Sequence, residues 1–418
     1  MTAREFDFFD LDMFARGTPH AEFAALRAQA PVSWHRLLSG KRDDGFWLLT
    51  RHADVRTVSK SPELFYSHGG SVLVDAPGAN APPHLKMVRD GFCHLDAPEH
   101  TALRKLATPL FGSRGLKAFE DTIRARARDL VSAVITAGTI DLVADFAVRF
   151  PATVVFEDLL GISTSDLPRA VRWGDYFNRV HAVPPTDREF AAVIRLAEGE
   201  LRALHALALE TMHARRAAPG SDLLSVLAHA RTTDGAPLSD EQFLSYFWSL
   251  MTGAYDTTAS TIAGGIVALN EFPEQRARII EEPSLLPTAV EEMLRWETPV
   301  IYFRRTARQD VELGGKIISK GQRVAMCYAA ANRDPEAFVS PERFDVSRTP
   351  NDHVSFGYGA HFCLGAHLAR LELNVLFEEL LARGVWFEAV GPATRARSNF
   401  INRIVSLPVQ VTVDATRS

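Results

Sequence analysis

Apolar residues recur at three- and four-residue spacing through most of the chain, which places them on one face of an α-helix. The clearest run covers residues 119–137, where Ile123, Ala127 and Val131 share a face and Gly138 supplies a stop signal. Strand-like segments are fewer: residues 47–50, residues 304–328 with two glycine turns, and a final hairpin at 399–413 broken by Pro408. The pattern therefore predicts a mainly α fold with a minor β region.

One helical segment is unusually long. Ser239 and Gln242 have the spacing of a capping box, apolar residues follow, and Pro273 ends the segment, so about 32 residues form a rod of roughly 50 Å. Its middle is a small and polar insertion at residues 253–258, which includes Asp256. A solvated face or a kink would explain the insertion, because glycine and threonine weaken helices. An acid inside a buried helix costs desolvation energy, which is typical of a functional site.

The composition limits the class of protein. The chain has 418 residues, 46% hydrophobic and 23% charged, which is enough for a large core and excludes a disordered or fibrous protein. The net charge of −5 gives no reason to expect a nucleic-acid partner. No apolar run reaches the ~18 residues of a membrane span, and the acidic N-terminus is unlike an export signal. Three cysteines are too few for a disulfide scaffold, and we therefore expect a cytoplasmic protein.

The segment with the most specific chemistry lies at residues 356–365, immediately before a helical pattern. Three glycines let its backbone bend tightly, and Cys363 stands at the start of the helix. Amide groups and the helix dipole favour thiolate there, and a thiolate is a ligand for soft metals. A lone buried cysteine more often behaves as a small hydrophobic residue. The surrounding glycines would serve no purpose around such a core residue, and so they favour a metal-ligand role.

This segment resembles the haem-ligand signature of the cytochrome P450 family, with Phe356, Gly359, Cys363 and Gly365 at the four characteristic positions. The resemblance extends from about residue 92 to 408. It implies haem b, iron protoporphyrin IX, with the Cys363 thiolate as axial ligand and with Phe356, Gly365 and Gly253 against the cofactor. It also implies a single domain, residues 1–418, with the long central helix over the haem and the first ~20 residues peripheral.

Other motifs of the family occur in the expected order. Residues 253–258 resemble its oxygen-activation motif, which implies Asp256 as proton source and Thr257 as a hydrogen-bonding hydroxyl. Four donors resemble the groups that hold the haem propionates: His100, Arg104, Arg305 and His361. Arg304 is the weaker choice, because neighbouring strand residues face opposite sides. Three residues resemble a buried ion network, namely Glu292, Arg295 and Arg343, with Arg348 as the alternative to Arg343.

The resemblance also implies the function. We expect a monomeric haem-thiolate monooxygenase that inserts one oxygen atom of O2 into a hydrophobic terpenoid, steroid or polycyclic substrate. Its electrons would come from a separate ferredoxin and ferredoxin reductase, docked on a basic face. Candidate residues of that face are Arg104, Lys105, Arg114, Lys117 and Arg370. Candidate pocket residues are Ser249, Thr252, Gly253, Ile301, Phe303, Phe400 and Ile401, with residues 67–88 as a mobile lid.

Three other readings remain open at this point. A peroxide-dependent haem-thiolate enzyme would have the same cysteine, but Asp256 and Thr257 argue against it, since peroxide already supplies activated oxygen. A non-catalytic haem sensor or carrier would bind haem without forming product. A helical lipid-binding protein would contain no cofactor and would purify colourless.

Overall fold

The computed structural model describes residues 6–37, 44–73, 80–163, 167–183, 187–232 and 235–414. Helices dominate these ranges, as the periodicity predicts. In chain order they are α1 (Leu11–Ala15), α2 (His20–Gln29), α3 (His52–Lys60), α4 (Pro83–Arg89), α5 (Glu99–Phe111), α6 (Ser113–Leu116), α7 (Glu120–Ala137), α8 (Arg149–Thr153), α9 (Leu167–Ala182), α10 (Phe190–Ala217), α11 (Leu223–Ala228), α12 (Asp240–Gly253), α13 (Asp256–Glu271), α14 (Pro273–Glu281), α15 (Leu286–Glu297), α16 (Tyr328–Ala331) and α17 (Ala366–Ala382).

The strands are short and form small sheets. They are β1 (Val32–Arg36), β2 (Gly45–Leu49), β3 (Phe65–Tyr66), β4 (Thr139–Asp141), β5 (Tyr302–Ala307), β6 (Val311–Leu313), β7 (Lys316–Ile318), β8 (Arg323–Cys327), β9 (Val385–Ala389), β10 (Thr394–Arg395), β11 (Ile404–Ser406) and β12 (Pro408–Val413). The largest sheet has the order β1-β2-β8-β5-β3, and β2 runs parallel to β8 with Phe46 opposite Arg323. This mainly α architecture with a minor β region confirms the predicted fold class.

The predicted final hairpin is wrong. β11 and β12 follow each other, but β11 pairs with β10, whereas β12 pairs with β4 and β9. Only Leu407 separates the two strands, which is shorter than the two residues of the tightest common hairpin loop. The C-terminal segment therefore joins two different sheets.

The long central helix is also not continuous. The capping box of Ser239 and Gln242 is present, but the helix divides at residues 254–255 into α12 and α13. Threonine side chains compete for backbone carbonyls on both sides of the break: Thr252 Oγ1 donates to Trp248 O at 2.8 Å, and Thr257 Oγ1 donates to Gly253 O at 3.2 Å. The polar insertion therefore produces a break, and it places Asp256 at the first position of α13.

Within the described part of the N-terminal segment, residues 6–14 contribute to the core rather than lying at the periphery. Phe8 is 1% exposed and packs among a buried cluster that includes Phe23, Phe46 and Tyr302. Its carbonyl accepts a hydrogen bond of 2.9 Å from Asn399, close to the other end of the chain. The expectation of a peripheral segment is wrong for residues 6–14, because several phenylalanines there remove apolar surface from water, a gain of about 25 cal/mol per Å².

Candidate functional site

The loop that carries Cys363 is fixed by its own backbone. The Cys363 amide donates to Phe356 O at 2.8 Å, and the Phe362 amide donates to Gly359 O at 3.1 Å. Gly359 has a φ of +71°, and a Cβ at this position would lie 2.4 Å from the Ser59 carbonyl oxygen. Only glycine allows both the backbone angle and the close approach to α3. The glycines of the motif therefore position the thiol at the start of α17, as the sequence predicts.

The Cys363 residue lines an internal cavity and is exposed there. Burial raises the pKa of the Cys363 thiol, while the Gly365 amide and the Arg104 and Arg370 guanidinium groups act in the opposite direction. The helix start alone therefore does not lower the pKa of this thiol, contrary to the expectation from sequence. A bound metal ion deprotonates a coordinating thiol outright, so a thiolate here fits metal ligation.

The cavity has an empty volume of about 1820 Å³, including its opening to solvent. Typical small-molecule sites occupy roughly 300–1,000 Å³, so this one has space for a large flat cofactor and a second molecule. Predicted site residues that line it are Cys363, Phe356, Gly365, Gly253, Asp256, Thr257, His100, Arg104, Arg305 and His361. The structure thus brings together residues separated by up to 265 positions in the sequence, from His100 to Gly365.

The four predicted propionate donors form one cluster at this cavity. The His100 and His361 rings are stacked with centroids 4.0 Å apart, and the buried Nε2 of His100 has no hydrogen-bond partner. Arg104 donates to Phe362 O at 2.6 Å and Arg305 donates to Arg304 O at 2.8 Å. The Arg304 side chain points away, toward the backbone oxygens of residues 69 and 70, as strand alternation predicts.

The charges of this cluster indicate an anionic ligand. Burial, followed by the nearby Arg305, lowers the pKa of His361 to about 2, and burial with Arg104 lowers that of His100 to about 4. The positive charges of the arginines therefore disfavour protonation of the two histidines. A carboxylate bound here would offset this repulsion and accept a hydrogen bond from His100 Nε2. Together with a cysteine and glycines facing the same cavity, the donor set fits a cofactor with a metal centre and carboxylate substituents, such as haem.

A buried ion network lies beneath the cysteine loop. Arg295 and Glu292 are both 0% exposed and form a bidentate pair, with Nε–Oε2 and Nη2–Oε1 distances of 2.7 and 2.8 Å. The third member is Arg348, whose Nε donates to Glu292 Oε2 at 3.0 Å. Arg343 is therefore the wrong choice: its side chain is exposed, and only its backbone oxygen accepts from Arg295 and Arg348.

This network is connected to the cysteine loop through Asn332. Arg295 donates to the Asn332 carbonyl at 2.9 Å, and the Asn332 side chain bonds the Val354 amide and the Ser355 hydroxyl, each at 2.8 Å. Phe356, which accepts the bond from the Cys363 amide, is the next residue. The buried charges thus hold the segment that positions the thiol.

Polar residues at the helix break include three that the sequence interpretation missed. Asp256 accepts hydrogen bonds from Arg403 and from Asn178 on α9. Glu372 on α17 is fully buried beside Thr258, and burial raises the pKa of its carboxyl well above the usual range, against the effect of the Thr258 hydroxyl. Glu372 had a detectable signal, since it follows Leu368 by four residues on the apolar face of the helix. Arg403 and Asn178 had none, because their partners are distant in sequence.

Most predicted pocket residues line the same cavity. They are Ser249, Thr252, Gly253, Phe303, Phe400 and Ile401. Ile301 does not: it is 1% exposed and packs in the core cluster with Phe8, while Val300 lines the cavity instead. Successive residues of an extended segment face opposite sides, so the shift of one position exchanges their environments. Of the predicted lid at 67–88, residues 74–79 lie outside the described residues.

Two members of the predicted basic face have other roles. Arg104 lines the cavity, and Arg370 forms a bidentate pair with Glu291 at 2.6 and 2.8 Å while its guanidinium lies 4.6 Å from the Phe356 ring centre. Lys105, Arg114 and Lys117 are exposed around α5 and α6.

Among the described residues, none of the helices is both long and apolar enough to cross a bilayer.

Comparison with known proteins gives relatives over nearly the whole length. Steroid C26-monooxygenase of Rhodococcus jostii is 35% identical over 412 aligned residues, covering 97% of this chain and 84% of the relative. Linalool 8-monooxygenase of Pseudomonas putida is 34% identical over 407 residues, covering 96% of this chain and 98% of the relative.

The solved structures agree with these relatives. The structure of Mycobacterium marinum cytochrome P450 CYP268A2 in complex with pseudoionone superposes with a TM-score of 0.86 at 37% identity, covering 98% of this chain and 100% of that chain. The family model for cytochrome P450 matches residues 61–389. The chain therefore belongs to the cytochrome P450 family and is a haem-thiolate monooxygenase of that family.

Proposed function

We propose that this monooxygenase inserts one oxygen atom of O2 into a hydrophobic terpenoid, steroid or polycyclic substrate, with electrons from a separate ferredoxin and its reductase. The observation that carries the proposal is a single cavity lined by Cys363, by the four donors, and by Asp256 and Thr257. A metal ligand, an anion site and a proton-transfer pair are the parts that such a reaction needs in one place.

The residues that would hold haem b are defined by their position around the cavity. Cys363 would supply the axial thiolate, and Phe356, Gly253 and Gly365 would lie against the cofactor. His100, Arg104, Arg305 and His361 would bind its two carboxylates, four donors for two anionic groups. When bound, haem with a thiolate ligand supplies the activation of dioxygen.

The chain itself supplies the proton for this chemistry. Asp256 is 2% exposed at the start of α13, and it is the acid nearest in sequence to the Thr257 hydroxyl. We assign Asp256 as the group that holds the proton and Thr257 Oγ1 as the group that orients its transfer into the cavity. Apolar side chains line the same cavity beside this pair.

The substrate class follows from what lines the rest of the cavity. Leu250, Val300, Phe303, Phe400 and Ile401 are apolar, so a hydrophobic molecule gains most by binding here. The names of the relatives support this class, since one acts on a steroid and another on linalool.

The electron donor would dock on exposed cations near the cysteine loop. Lys105, Arg114 and Lys117 remain available on α5 and α6 after Arg104 and Arg370 are assigned elsewhere. An acidic iron–sulfur ferredoxin complements such a surface. All three cysteines are unpaired, which supports action in the reducing cytoplasm. We propose that the protein acts there as a monomer.

The direct test combines binding and reconstitution. Lipophilic compounds are screened with the haem-loaded protein for the spin-state change that follows displacement of iron-bound water. Compounds that bind are then incubated with ferredoxin, reductase and a nicotinamide donor, and products are identified by mass spectrometry. A product containing one atom from labelled O2 supports the proposal. Product formation with peroxide alone, or haem binding without any product, would favour the peroxide-dependent enzyme or the haem carrier instead.

Replacing Thr257 with alanine is expected to divert oxygen to hydrogen peroxide while oxygen consumption continues. The hydroxyl orients proton transfer, and a hydrogen bond to a charged group contributes about 1.5–3 kcal/mol, roughly ten- to hundredfold in the partition between peroxide and product. The measurement is the ratio of peroxide to product per NADH oxidised.

Thr261→Ala is the matched control, because Thr261 lies one turn further along α13, lines the same cavity and bonds the Thr257 carbonyl at 3.0 Å. It should remain coupled. Full coupling of Thr257→Ala would show that the assigned role of Thr257 is wrong.

A further inference from the structure

Cys93 lines the cavity on a segment that has no part in the proposed oxygen chemistry. It is half-buried and belongs to a short 3-10 turn, Phe92–His94. The Phe92 amide donates to Ser249 Oγ on α12 at 3.0 Å, and the Phe92 ring stacks on Tyr246 of the same helix with centroids 5.5 Å apart. The turn is therefore fixed against α12, and the thiol has a defined place at the cavity.

The neighbouring His94 supplies a base for this thiol. Its Nδ1 lies 3.2 Å from the Arg89 carbonyl oxygen, which can only accept, so Nδ1 carries a hydrogen and Nε2 is left to exchange a proton. Burial raises the pKa of the Cys93 thiol, but the charge of His94 and hydrogen bonds to the sulfur outweigh burial and bring this pKa below its usual value. Burial lowers the pKa of His94, and its contact with Cys93 more than reverses that effect. The two side chains therefore form a thiol–imidazole pair.

A third polar group, the Ser71 hydroxyl, lies beside this pair. Ser71 lines the same cavity, is 1% exposed, and lies near the Cys93 sulfur. Its Oγ nevertheless makes no well-formed hydrogen bond with the described residues. A buried hydroxyl without a partner costs free energy, which an oxygen atom of a ligand at this place would recover. A nucleophile, a base and a hydrogen-bond donor are thus next to one another at a cavity that also has apolar walls.

We infer that Cys93, His94 and Ser71 form a second reactive site, which captures a lipophilic α,β-unsaturated ketone as a covalent adduct. Such a compound suits both features of the place. Its hydrocarbon part gains by contact with the apolar lining, and its electron-poor alkene accepts a thiolate. The site does not depend on the proposed oxygen insertion, which uses a different cysteine, Cys363.

The atoms and electrons balance within one addition. Cys93 gives its proton to His94 Nε2, and the sulfur forms a bond to the β carbon of the alkene. The π electrons of the alkene move toward the carbonyl oxygen and give an enolate, which accepts a hydrogen bond from Ser71 Oγ. The proton on His94 then goes to the α carbon, which restores the ketone and the neutral imidazole. The adduct is the sum of protein and ketone, with no leaving group and no net oxidation.

The test uses the haem-loaded protein and benzylideneacetone, a simple lipophilic α,β-unsaturated ketone. Mass spectrometry of the intact protein follows the rate of adduct formation, and peptide mapping locates the adduct. We expect one adduct per chain, on Cys93, with a mass increase equal to the whole reagent, and Cys93→Ser should abolish it. His94→Gln should slow the reaction about a hundredfold, because the base is removed. Ser71→Ala should slow it roughly tenfold, because a hydrogen bond to the enolate is lost.

Matched controls come from residues of the same types that do not line the cavity. Cys327→Ala removes a fully buried thiol and should leave the adduct unchanged. Ser245→Ala removes another buried hydroxyl without a partner, on α12, and should react at the rate of the parent. Benzylacetone, the saturated analogue of the reagent, cannot react with a thiolate in this way and should slow the reaction by competing for the cavity.

The inference is overturned if no adduct forms on Cys93, if Cys93→Ser still forms the adduct, or if His94→Gln reacts at the rate of the parent. Absence of protection by benzylacetone would also overturn it, because the adduct would then form outside the cavity. If His94→Gln does not fold, Cys93→Ser and Ser71→Ala decide the question. Failure of the protein to oxidise any lipophilic compound would contradict the proposed function, but it would leave this adduct unchanged.

Discussion

Replacement of Cys363 by alanine is expected to abolish the reduced, carbon-monoxide-bound absorption band of the haem-thiolate centre and all monooxygenase activity. The cysteine loop positions one thiol toward the cavity, and alanine has no atom that can ligate a metal. The His100, Arg104, Arg305 and His361 donors remain in this variant, so residual haem binding through its carboxylates is expected, without the thiolate spectrum. The measurements are the reduced carbon monoxide difference spectrum and the haem content per chain.

Cys327→Ala provides the matched control. Cys327 is fully buried at the end of β8, and burial raises the pKa of its thiol to about 12, so it is an inert core residue. Its replacement removes one sulfur from the core and should leave the absorption band intact. An unchanged band in Cys363→Ala would remove the basis for the haem site described here.

Glu292→Ala is expected to cause the largest loss of stability. It leaves Arg295 and Arg348 without the carboxylate that pairs with both, and Arg295 has no access to water. Removing one partner of a buried ion pair costs about 3–5 kcal/mol, a large part of the stability of an ordinary domain. Since Arg295 also bonds the Asn332 carbonyl, the cysteine loop should loosen and haem content should fall. Urea unfolding and haem content measure the two effects.

The matched control for this variant is Glu378→Ala. Glu378 also pairs with an arginine, Arg124, at 2.6 Å, but both side chains are more than 40% exposed. Such a surface pair contributes less than about 1 kcal/mol, so the variant should unfold near the parent and keep its haem. Equal losses for the two variants would contradict the special role of the buried network.

Sequence reasoning succeeded where chemistry depends on local spacing. Phe356, Gly359, Cys363 and Gly365 lie within ten residues, and the backbone bonds of that short loop alone bring them together. The same holds for His100 and Arg104, one helical turn apart on α5, and for Glu292 and Arg295 on α15. In each case the spacing fixes the relative direction of the side chains before any tertiary contact forms.

Prediction from sequence failed where a contact depends on how distant segments of the chain pack. Arg343 and Arg348 lie five residues apart in the same irregular segment, and sequence spacing does not distinguish them. Only the folded structure shows that the Arg348 side chain reaches Glu292. Val300 and Ile301 are adjacent in an extended segment, so their side chains point to opposite sides. Val300 lines the cavity and Ile301 packs in the core. Arg403 meets Asp256 across 147 positions, and nothing in its surroundings in sequence marks it. These contacts are set by tertiary packing, which overrides local pattern.

The parallel pairing of β2 with β8 has a consequence for synthesis of the chain. Trp47 donates a hydrogen bond to Gln322, the residue immediately before β8 and 275 positions later in the chain. At roughly 5–20 residues per second, the ribosome needs between about 14 and 55 s to supply the partner of β2. During that time β1 and β2 are an isolated two-stranded hairpin, which is marginally stable in water and exposes tryptophan and phenylalanine side chains. Lower growth temperature and additional chaperone should therefore raise the yield of folded protein. Binding of the cofactor must follow translation of most of the chain.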